Sequence, residues 1–275
     1  MSLRETVVNH IIAALKKRSM NKEKVSRFYD VVWTEYIPEY EATEKHWEIF
    51  FSEDEVRGKS VLDAGCGTGI FSIIFANNSA GRVTGIDISE GSLQTALSLK
   101  EKFEIQNANF QKEDMLHLPF QDENFDIVWA WGTVHHTTDP FKAIDELIRV
   151  LKKGGSILLA IYTRTKLTFI HEIIRKILVR APKRTWTALS KIMAFFLTPV
   201  VFFFKKREKS RKGEKLEELI LDWYFVPIRY YYKPKEIKSY LEKKGFTIEN
   251  YLHASGRFNS TSNFIFKARK STRVK

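Results

Sequence analysis

The chain has 275 residues, and its 45 lysines and arginines against 33 acidic residues give a formal net charge of +12. With 44% hydrophobic and 13% aromatic residues it can bury a sizeable core, which excludes a disordered or low-complexity chain. The single cysteine, Cys66, excludes an internal disulfide framework and a metal site built from several cysteines. The N-terminal stretch lacks a hydrophobic run followed by a small-residue cleavage site, so we expect a cytoplasmic protein.

The first 55 residues are predicted to be mostly helical, and residues 60–163 alternate strand-like and helix-like segments. The predicted strands are Ser60–Ala64, Arg82–Asp87, Ala108–Lys112, Phe125–Trp131 and Ser156–Tyr162. The predicted helices are Ile70–Asn77, Ser89–Phe103 and Pro140–Leu151, the last entered through Asp139 as N-cap. A glycine pair, Gly154 and Gly155, is predicted to turn the chain into the fifth strand. This alternation predicts an α/β fold with a mostly parallel, doubly wound sheet.

Residues 164–232 interrupt the alternation and are predicted to form a helical insertion. After it come a predicted helix that ends near Gly245 and two closing strands: Pro234–Lys244, Phe246–Leu252 and Ser262–Ala268. The expected divisions are therefore 1–55, 56–163, 164–232 and 233–275.

A glycine-rich loop follows the first predicted strand, with Gly65, Gly67 and Gly69 in the segment VLDAGCGTGI. Glycines let a ligand approach the backbone, and a helix N-terminus presents N–H groups. A dinucleotide site would want a third glycine at Ile70. Asp63, just before the turn, would repel a pyrophosphate but suits a ligand with an ammonium or sulfonium charge. Asp87 ends the next predicted strand, at a position where an acidic side chain can bind a ribose diol.

Five segments in this order resemble the motifs of class I S-adenosylmethionine-dependent methyltransferases: VLDAGCGTG, VTGIDIS, QKEDMLHLPF, FDIVWAWGTVHHTTDP and LKKGGSILLAI. The resemblance covers roughly residues 55–163, and SRFYDVVWTEYI near the N-terminus resembles the lid helix of that family. It implies a seven-stranded Rossmann-like sheet whose last strand is antiparallel. It also implies a methyltransferase (EC 2.1.1) with S-adenosylmethionine as cofactor and S-adenosylhomocysteine as product.

The same resemblance implies roles by position along the predicted sheet edge. The methionine part of the cofactor would face the region of Asp63, Gly65, Cys66 and Gly67. Asp87 would hold the ribose hydroxyls and Ile88 would pack on adenine, while Asp114 would accept from the adenine amino group with Met115 beside it. The methyl-transfer chamber would be bordered by Ala130, Trp131 and Gly132 and closed by Tyr29 or Tyr36.

Two places offer a general base. His135 and His136 follow the fourth strand, and a neutral imidazole accepts a proton near pH 7, although a helix-capping and packing role is the alternative. Asp222, in the aromatic segment DWYFVPIRYYYKP, is a second candidate base or substrate hydrogen-bond acceptor. Packing of that segment on the core is equally compatible with its composition. A nucleophilic role for Cys66 is disfavoured.

Charge is distributed unevenly along the chain. Residues 28–163 carry 11 basic and 22 acidic groups, net −11, whereas residues 164–212 carry 14 and 2, net +12.

The insertion also holds an apolar helical stripe and a 13-residue apolar run, Ile192–Phe204, which is shorter than the ~20 residues of a membrane span. A single crossing is excluded if the closing strands return to the same sheet.

Four interpretations of the insertion stay open: an interfacial element on an anionic membrane, a lid over an apolar acceptor, a nucleic-acid surface, and a dimer interface. The predicted function is methyl transfer to a small apolar or amphiphilic, lipid-like acceptor, with residues 164–212 placing it on the inner membrane face. The alternatives are a tRNA methyltransferase, with nucleic acid the less favoured partner, and a cofactor-binding protein without catalysis. The motifs leave the acceptor atom and the oligomeric state open.

Overall fold

The computed structural model describes residues 22–30, 38–166, 168–182, 185–205, 220–221, 223–253 and 263–272. The helices are α1 (22–30), α2 (Tyr40–Glu48), α3 (Glu53–Val56), α4 (Ile70–Asn77), α5 (Glu90–Lys102), α6 (Pro140–Val150), α7 (Thr168–Leu178), α8 (Trp186–Lys205) and α9 (Pro234–Lys243). The strands are β1 (Ser60–Ala64), β2 (Arg82–Asp87), β3 (Ala108–Lys112), β4 (Phe125–Trp131), β5 (Leu151–Tyr162), β6 (Phe246–His253) and β7 (Asn263–Lys270). A 3₁₀ turn covers Val134–His136.

The described strands form a seven-stranded sheet in the order β3-β2-β1-β4-β5-β7-β6. Strands β1 to β5 pair in parallel, and β7 runs antiparallel to both β5 and β6. The predicted doubly wound sheet with an antiparallel last strand is therefore confirmed. The order reverses between β1 and β4, and open α/β sheets bind ligands in the crevice at such a reversal.

Local signals explain why the helices begin where predicted. The Ser89 hydroxyl accepts from the backbone N–H of Ser92 at 3.0 Å and caps α5. Asp139 caps α6 through the N–H of Lys142 at 3.2 Å, with Pro140 in the first turn.

The predicted start of the fifth strand is wrong, because β5 begins at Leu151 rather than Ser156. Leu151 pairs with Phe125 and Ser156 pairs with Ile127, so three extra residues of β5 bulge between the two pairs. Gly154 supplies a φ of 73° inside this bulge. The glycines therefore bend the strand where a turn was expected.

Apolar side chains form two core clusters, one holding Leu62 and Leu159 and the other holding Val61 and Trp129. A third cluster joins α1 to the insertion and contains Phe28, Ala194, Tyr224, Phe225 and Val226. The third cluster is joined to the C-terminal end of β4 through the Ile228 carbonyl, which accepts from His136 in the turn after that strand. Within the described residues, every helix is too short or too polar to cross a membrane.

Candidate functional site

The loop after β1 touches the loop after β4 at the reversal of strand order. Gly65, Gly67 and Gly69 have φ values of 72°, 53° and 76°, a region that favours glycine. A Cβ added to Gly65 would lie 2.6 Å from the Cβ of Thr133, whose hydroxyl donates to the Ala64 carbonyl at 3.0 Å. Glycine at position 65 is therefore required for the two loops to meet and form the base of the site.

Asp87 lies at the C-terminal end of β2, as predicted, and both of its carboxylate oxygens accept backbone hydrogen bonds. One oxygen accepts from Gly67 N at 3.0 Å and the other from Ser89 N at 2.9 Å. Burial raises the pKa of Asp87, and these N–H donors oppose the rise. A carboxylate has about four lone-pair sites, and Asp87 accepts from three backbone N–H groups, those of Gly67, Ile88 and Ser89, so it keeps acceptor capacity for a ribose hydroxyl.

Asp63 is 2% exposed, and one carboxylate oxygen accepts from the Ser72 hydroxyl at 2.7 Å. Burial raises the pKa of Asp63 to about 7; the Ser72 hydrogen bond lowers it and the charge of Asp87 raises it further. A carboxyl group with this pKa gains or loses its charge near neutrality. A nearby cation would favour the ionised form, as expected for an ammonium or sulfonium ligand.

Cys66 is buried between these two acids. Burial and the charges of Asp63 and Asp87 raise the pKa of its thiol well above the usual range. The thiolate is the reactive form of cysteine, so the geometry gives Cys66 a lining role and no nucleophilic one.

The residues implied for adenine lie after β2 and β3. Ile88 is half-buried, and Met115 is buried in the first core cluster. One oxygen of Asp114 accepts from Leu116 N at 3.0 Å, and the other forms an ion pair with Lys22 Nζ at 2.8 Å. Asp114 is thus oriented by its own loop and contacted by α1.

Helix α1 makes further polar contacts with the same loops. The Ser26 hydroxyl donates to the Ile88 carbonyl at 2.9 Å. Asp30 accepts from the Ser89 hydroxyl at 2.7 Å and from Gly91 N at 3.1 Å. Sequence reasoning missed these α1 residues, although positions 22, 26 and 30 recur every four residues and so share one helix face.

The histidine pair lies in the 3₁₀ turn after β4. Nδ1 of His136 is 2.8 Å from the Ile228 carbonyl, and a carbonyl only accepts, so Nδ1 donates and the neutral ring keeps its lone pair on Nε2. His135 is fully buried, and neither ring nitrogen has a hydrogen-bond partner in the described part of the chain. Burial, His136 and Arg229 hold the pKa of His135 well below its usual range. His136 is the better oriented of the two as a base.

Trp131 belongs to an aromatic wall on the α4 side of the sheet. Its ring stacks on Trp129 at 5.4 Å, lies 5.3 Å from Phe71 and 6.3 Å from Phe50, and meets His46 edge-on at 6.3 Å. The contribution of α2 to this wall was not predicted, because it comes from a helix distant in sequence.

Tyr29 reaches the histidine turn from α1. Its ring centroid is 5.9 Å from that of His136 and 5.0 Å from that of Phe28. Tyr36 and Asp222, the other predicted lid and base residues, lie outside the described residues.

The helices of the insertion turn apolar side chains outward. Phe169, Ile173 and Ile177 on α7 are 63%, 55% and 63% exposed, and Phe195 on α8 is 76% exposed. Further exposed apolar side chains of the two helices are Ile170, Ile192, Phe196 and Leu197. Large exposed apolar side chains repeated along a helix, as on α7, are typical of an interaction surface.

Arg175 of α7 faces inward instead. It pairs with Glu172 at 2.8 Å and donates to the carbonyls of Val226 and Pro227 at 2.9 and 3.1 Å. A second buried arginine, Arg229, lies 4.4 Å over the ring of Tyr162. The sequence predicted the contacts of neither arginine. Val226 and Pro227 lie about 50 residues from Arg175, and Tyr162 lies more than 60 residues from Arg229.

Together these groups fit a nucleoside carrying a cation. The glycine cradle excludes a Cβ, Asp87 can take a ribose hydroxyl, Asp63 responds to positive charge, and Asp114 offers an acceptor at the adenine end. S-adenosylmethionine has these features, and when bound it supplies a methyl group on a sulfonium sulfur.

A protein-family model described as "Methyltransferase domain" matches residues 55–194. The ubiquinone biosynthesis O-methyltransferase of Coxiella burnetii is 27% identical over 166 residues, which are 58% of this chain and 70% of that protein. The tRNA U34 carboxymethyltransferase of Campylobacter curvus is 30% identical over 134 residues, 48% of this chain and 41% of that protein. A crystal structure of a SAM-dependent methyltransferase from Methanosarcina mazei shares the fold, with a TM-score of 0.54 at 19% identity over 83% of this chain and 98% of its own.

Proposed function

The chain belongs to the methyltransferase-domain family and is a class I S-adenosylmethionine-dependent methyltransferase, and we propose that its acceptor is a small apolar or amphiphilic molecule taken from a membrane surface. The cofactor residues of this proposal are Asp63, Gly65, Cys66, Gly67, Asp87, Ile88, Asp114, Met115, Trp131, Tyr29 and Tyr36. Residues 1–55 act as a lid and residues 164–232 contact the acceptor.

One observation carries the proposal: the insertion packs against the histidine turn on its inner side and exposes apolar side chains on its outer side. The inner side includes Ile228, whose backbone carbonyl accepts a hydrogen bond from Nδ1 of His136. The outer side holds Phe169, Ile173 and Phe195, each more than half exposed. An amphiphilic acceptor held at a bilayer surface would therefore meet the apolar outer side of the insertion, while the proposed base lies against its inner side.

The aromatic packing between α1, α8 and the histidine turn supports an apolar acceptor. Trp186 lies 5.8 Å from Phe28 and 5.5 Å from Phe225, and Tyr29 lies edge-on to His136. Apolar surroundings of this kind beside His136 favour a planar or chain-like apolar molecule over a highly charged one. The Coxiella burnetii relative, named for an O-methyl transfer in ubiquinone biosynthesis, supports a small-molecule acceptor.

For a hydroxyl acceptor, His136 takes the proton. Its Nδ1–H is fixed on the Ile228 carbonyl, so Nε2 presents a lone pair. The bound cofactor would supply the methyl group, and Nε2 of His136 would take the proton that the acceptor hydroxyl loses. The rest of the rate would come from holding the acceptor about 3–3.5 Å away and in line.

The charges of the insertion support an anionic lipid surface. Lys166, Lys176, Arg180 and Lys191 are exposed, and Glu172, the single acid between residues 164 and 205, is turned inward onto Arg175. Basic residues near an anionic bilayer contribute about 1 kcal/mol each, and apolar side chains insert at the boundary of the acyl chains.

Vesicle sedimentation tests the membrane part. The protein should sediment with vesicles of phosphatidylglycerol and phosphatidylcholine, and the double variant Phe169→Ser/Ile173→Ser should stay in the supernatant. The matched control is Leu97→Ser, which removes an exposed leucine from α5. Equal sedimentation of both variants, or none by the unaltered protein, would contradict the membrane part.

Labelled methyl transfer tests the acceptor. Cell extracts are incubated with the protein and methyl-labelled cofactor, and we expect the label in the solvent-extractable lipid fraction. Label in tRNA, together with salt-sensitive tRNA binding and no vesicle binding, would instead support the RNA alternative, which the +12 charge of residues 164–212 favours. Cofactor binding without label in any fraction would leave a protein that does not catalyse.

A further inference from the structure

Lys22 and the adenine amino group are directed at the same carboxylate. Lys22 Nζ lies 2.8 Å from Asp114 Oδ2, and the cofactor assignment gives Asp114 to the adenine amino group. The other oxygen, Oδ1, is occupied by the N–H of Leu116 at 3.0 Å. We propose that Lys22 is a gate residue of the cofactor site: its ammonium occupies the Oδ2 side of Asp114, where the adenine amino group would bind, and it must move away when the cofactor binds. This inference rests on the proposed place of Asp114 in the site.

The geometry gives Lys22 little part in holding α1. The helix is anchored by Ser26 on the Ile88 carbonyl, by Asp30 on Ser89 and Gly91, and by Phe28, which is buried in the third apolar cluster. Removal of the Lys22 ammonium therefore leaves the helix in place and opens the space beside Asp114 Oδ2. The expected effect on cofactor affinity is a gain, whereas a supporting residue would give a loss.

The exposure of the Lys22 and Asp114 side chains sets the expected size of the gain in cofactor affinity. The side chains of Lys22 and Asp114 are 46% and 22% exposed. Ion pairs this accessible to water are weak, so the competition should cost the cofactor about two- to fivefold in affinity. Salt screens such pairs, so raising the ionic strength should relieve the competition.

The test uses the full chain and S-adenosylhomocysteine, which has no net charge at pH 7 and retains adenine. Its dissociation constant is measured by calorimetry at 20 and 500 mM salt for the unaltered protein, Lys22→Met and Lys24→Met. Lys24 is an exposed lysine of the same helix and serves as the matched control. We expect Lys22→Met to bind about two- to fivefold more tightly at 20 mM, with the difference vanishing at 500 mM, and Lys24→Met to match the unaltered protein.

Weaker or unchanged binding by Lys22→Met would overturn the gate, and so would an equal gain in Lys24→Met. A ligand in which hypoxanthine replaces adenine separates the gate from the site assignment beneath it. If the unaltered protein binds both ligands equally, Asp114 does not read the amino group and both ideas fail. If it prefers adenine while Lys22→Met changes nothing, the assignment of Asp114 stands and the gate alone fails.

Discussion

Replacement of Asp63 with asparagine should remove a pH dependence of stability that originates in one buried carboxyl group. Asp63 is 2% exposed, and its hydrogen-bonded neighbour is the Ser72 hydroxyl. Burial raises its pKa from 3.8 to about 7 in the folded protein. The folded chain therefore binds a proton at Asp63 between pH 4 and 7 that the unfolded chain has released. A group of this kind stabilises the fold at low pH, and the stabilisation is lost as the pH rises through the folded pKa.

Each unit of pKa difference corresponds to about 1.4 kcal/mol. Between pH 5.5 and 7.5 a carboxyl with a folded pKa of about 7 should lose about 2 kcal/mol of stabilisation. Asparagine has the same shape, accepts from Ser72 through its amide oxygen and does not titrate in this range. The free energy of unfolding of Asp63→Asn minus that of the unaltered protein should thus rise by about 2 kcal/mol over this interval.

Urea denaturation at pH 5.5, 6.5 and 7.5 in the absence of cofactor, followed by tryptophan fluorescence, measures this difference. The acids with lowered pKa values, Glu53, Glu55, Asp126 and Glu146, lose their stabilising contribution at more acidic pH and cancel in the subtraction. Ser72→Ala is the companion variant, because it removes a hydrogen bond that lowers the pKa of Asp63. Its free energy of unfolding should therefore fall more steeply with rising pH than that of the unaltered protein. Parallel curves for Asp63→Asn and the unaltered protein would refute the reasoning.

Three further changes test the site. Asp87→Ala should weaken S-adenosylhomocysteine binding at least about tenfold in calorimetry, because an acceptor for the ribose hydroxyls is lost; an unchanged affinity would remove Asp87 from the site. His136→Ala should lower kcat by about 10²–10⁴ with KM nearly unchanged, since base catalysis is lost while binding is kept, and intact turnover would exclude it as the base. Gly65→Ala should lower the thermal midpoint and abolish cofactor binding, because its Cβ would collide with Thr133 and φ is 72°; normal binding would contradict the cradle.

The sequence predicted the strands and helices of the core well because their signals are local. Ser89 and Asp139 act as caps within three residues of the groups they bind, and Asp63 and Asp87 are located by the ends of their own strands. Gly154 was misinterpreted for the same reason: glycine favours a turn and a bulge alike, and only the pairing with β4 distinguishes them.

The contacts that could not be predicted join segments distant in sequence. Lys22 meets Asp114, 92 positions away, and nothing in either local pattern indicates the other. The apolar stripe of α7 was visible in the sequence, but a stripe at helical spacing normally faces the core. Its orientation depends on what the opposite face meets, and that partner, the segment around Val226, is about 50 residues further along the chain.

Ile174 and Leu178 of that stripe pack on the third cluster, and the outward orientation of Phe169, Ile173 and Ile177 has a physical cause in the inward contacts of Arg175. Arg175, held by Glu172, satisfies the carbonyls of Val226 and Pro227, and breaking such a buried pair on one side costs about 3–5 kcal/mol. Rotating the helix to bury the stripe would leave these groups unpaired. The next residue, Ile228, fixes the tautomer of His136 through its carbonyl. The same three-residue segment therefore sets which face of α7 is exposed and which nitrogen of His136 carries the lone pair of the neutral ring. A change that loosens Arg175 should accordingly disturb vesicle binding and turnover together, whereas Phe169→Ser should disturb vesicle binding alone.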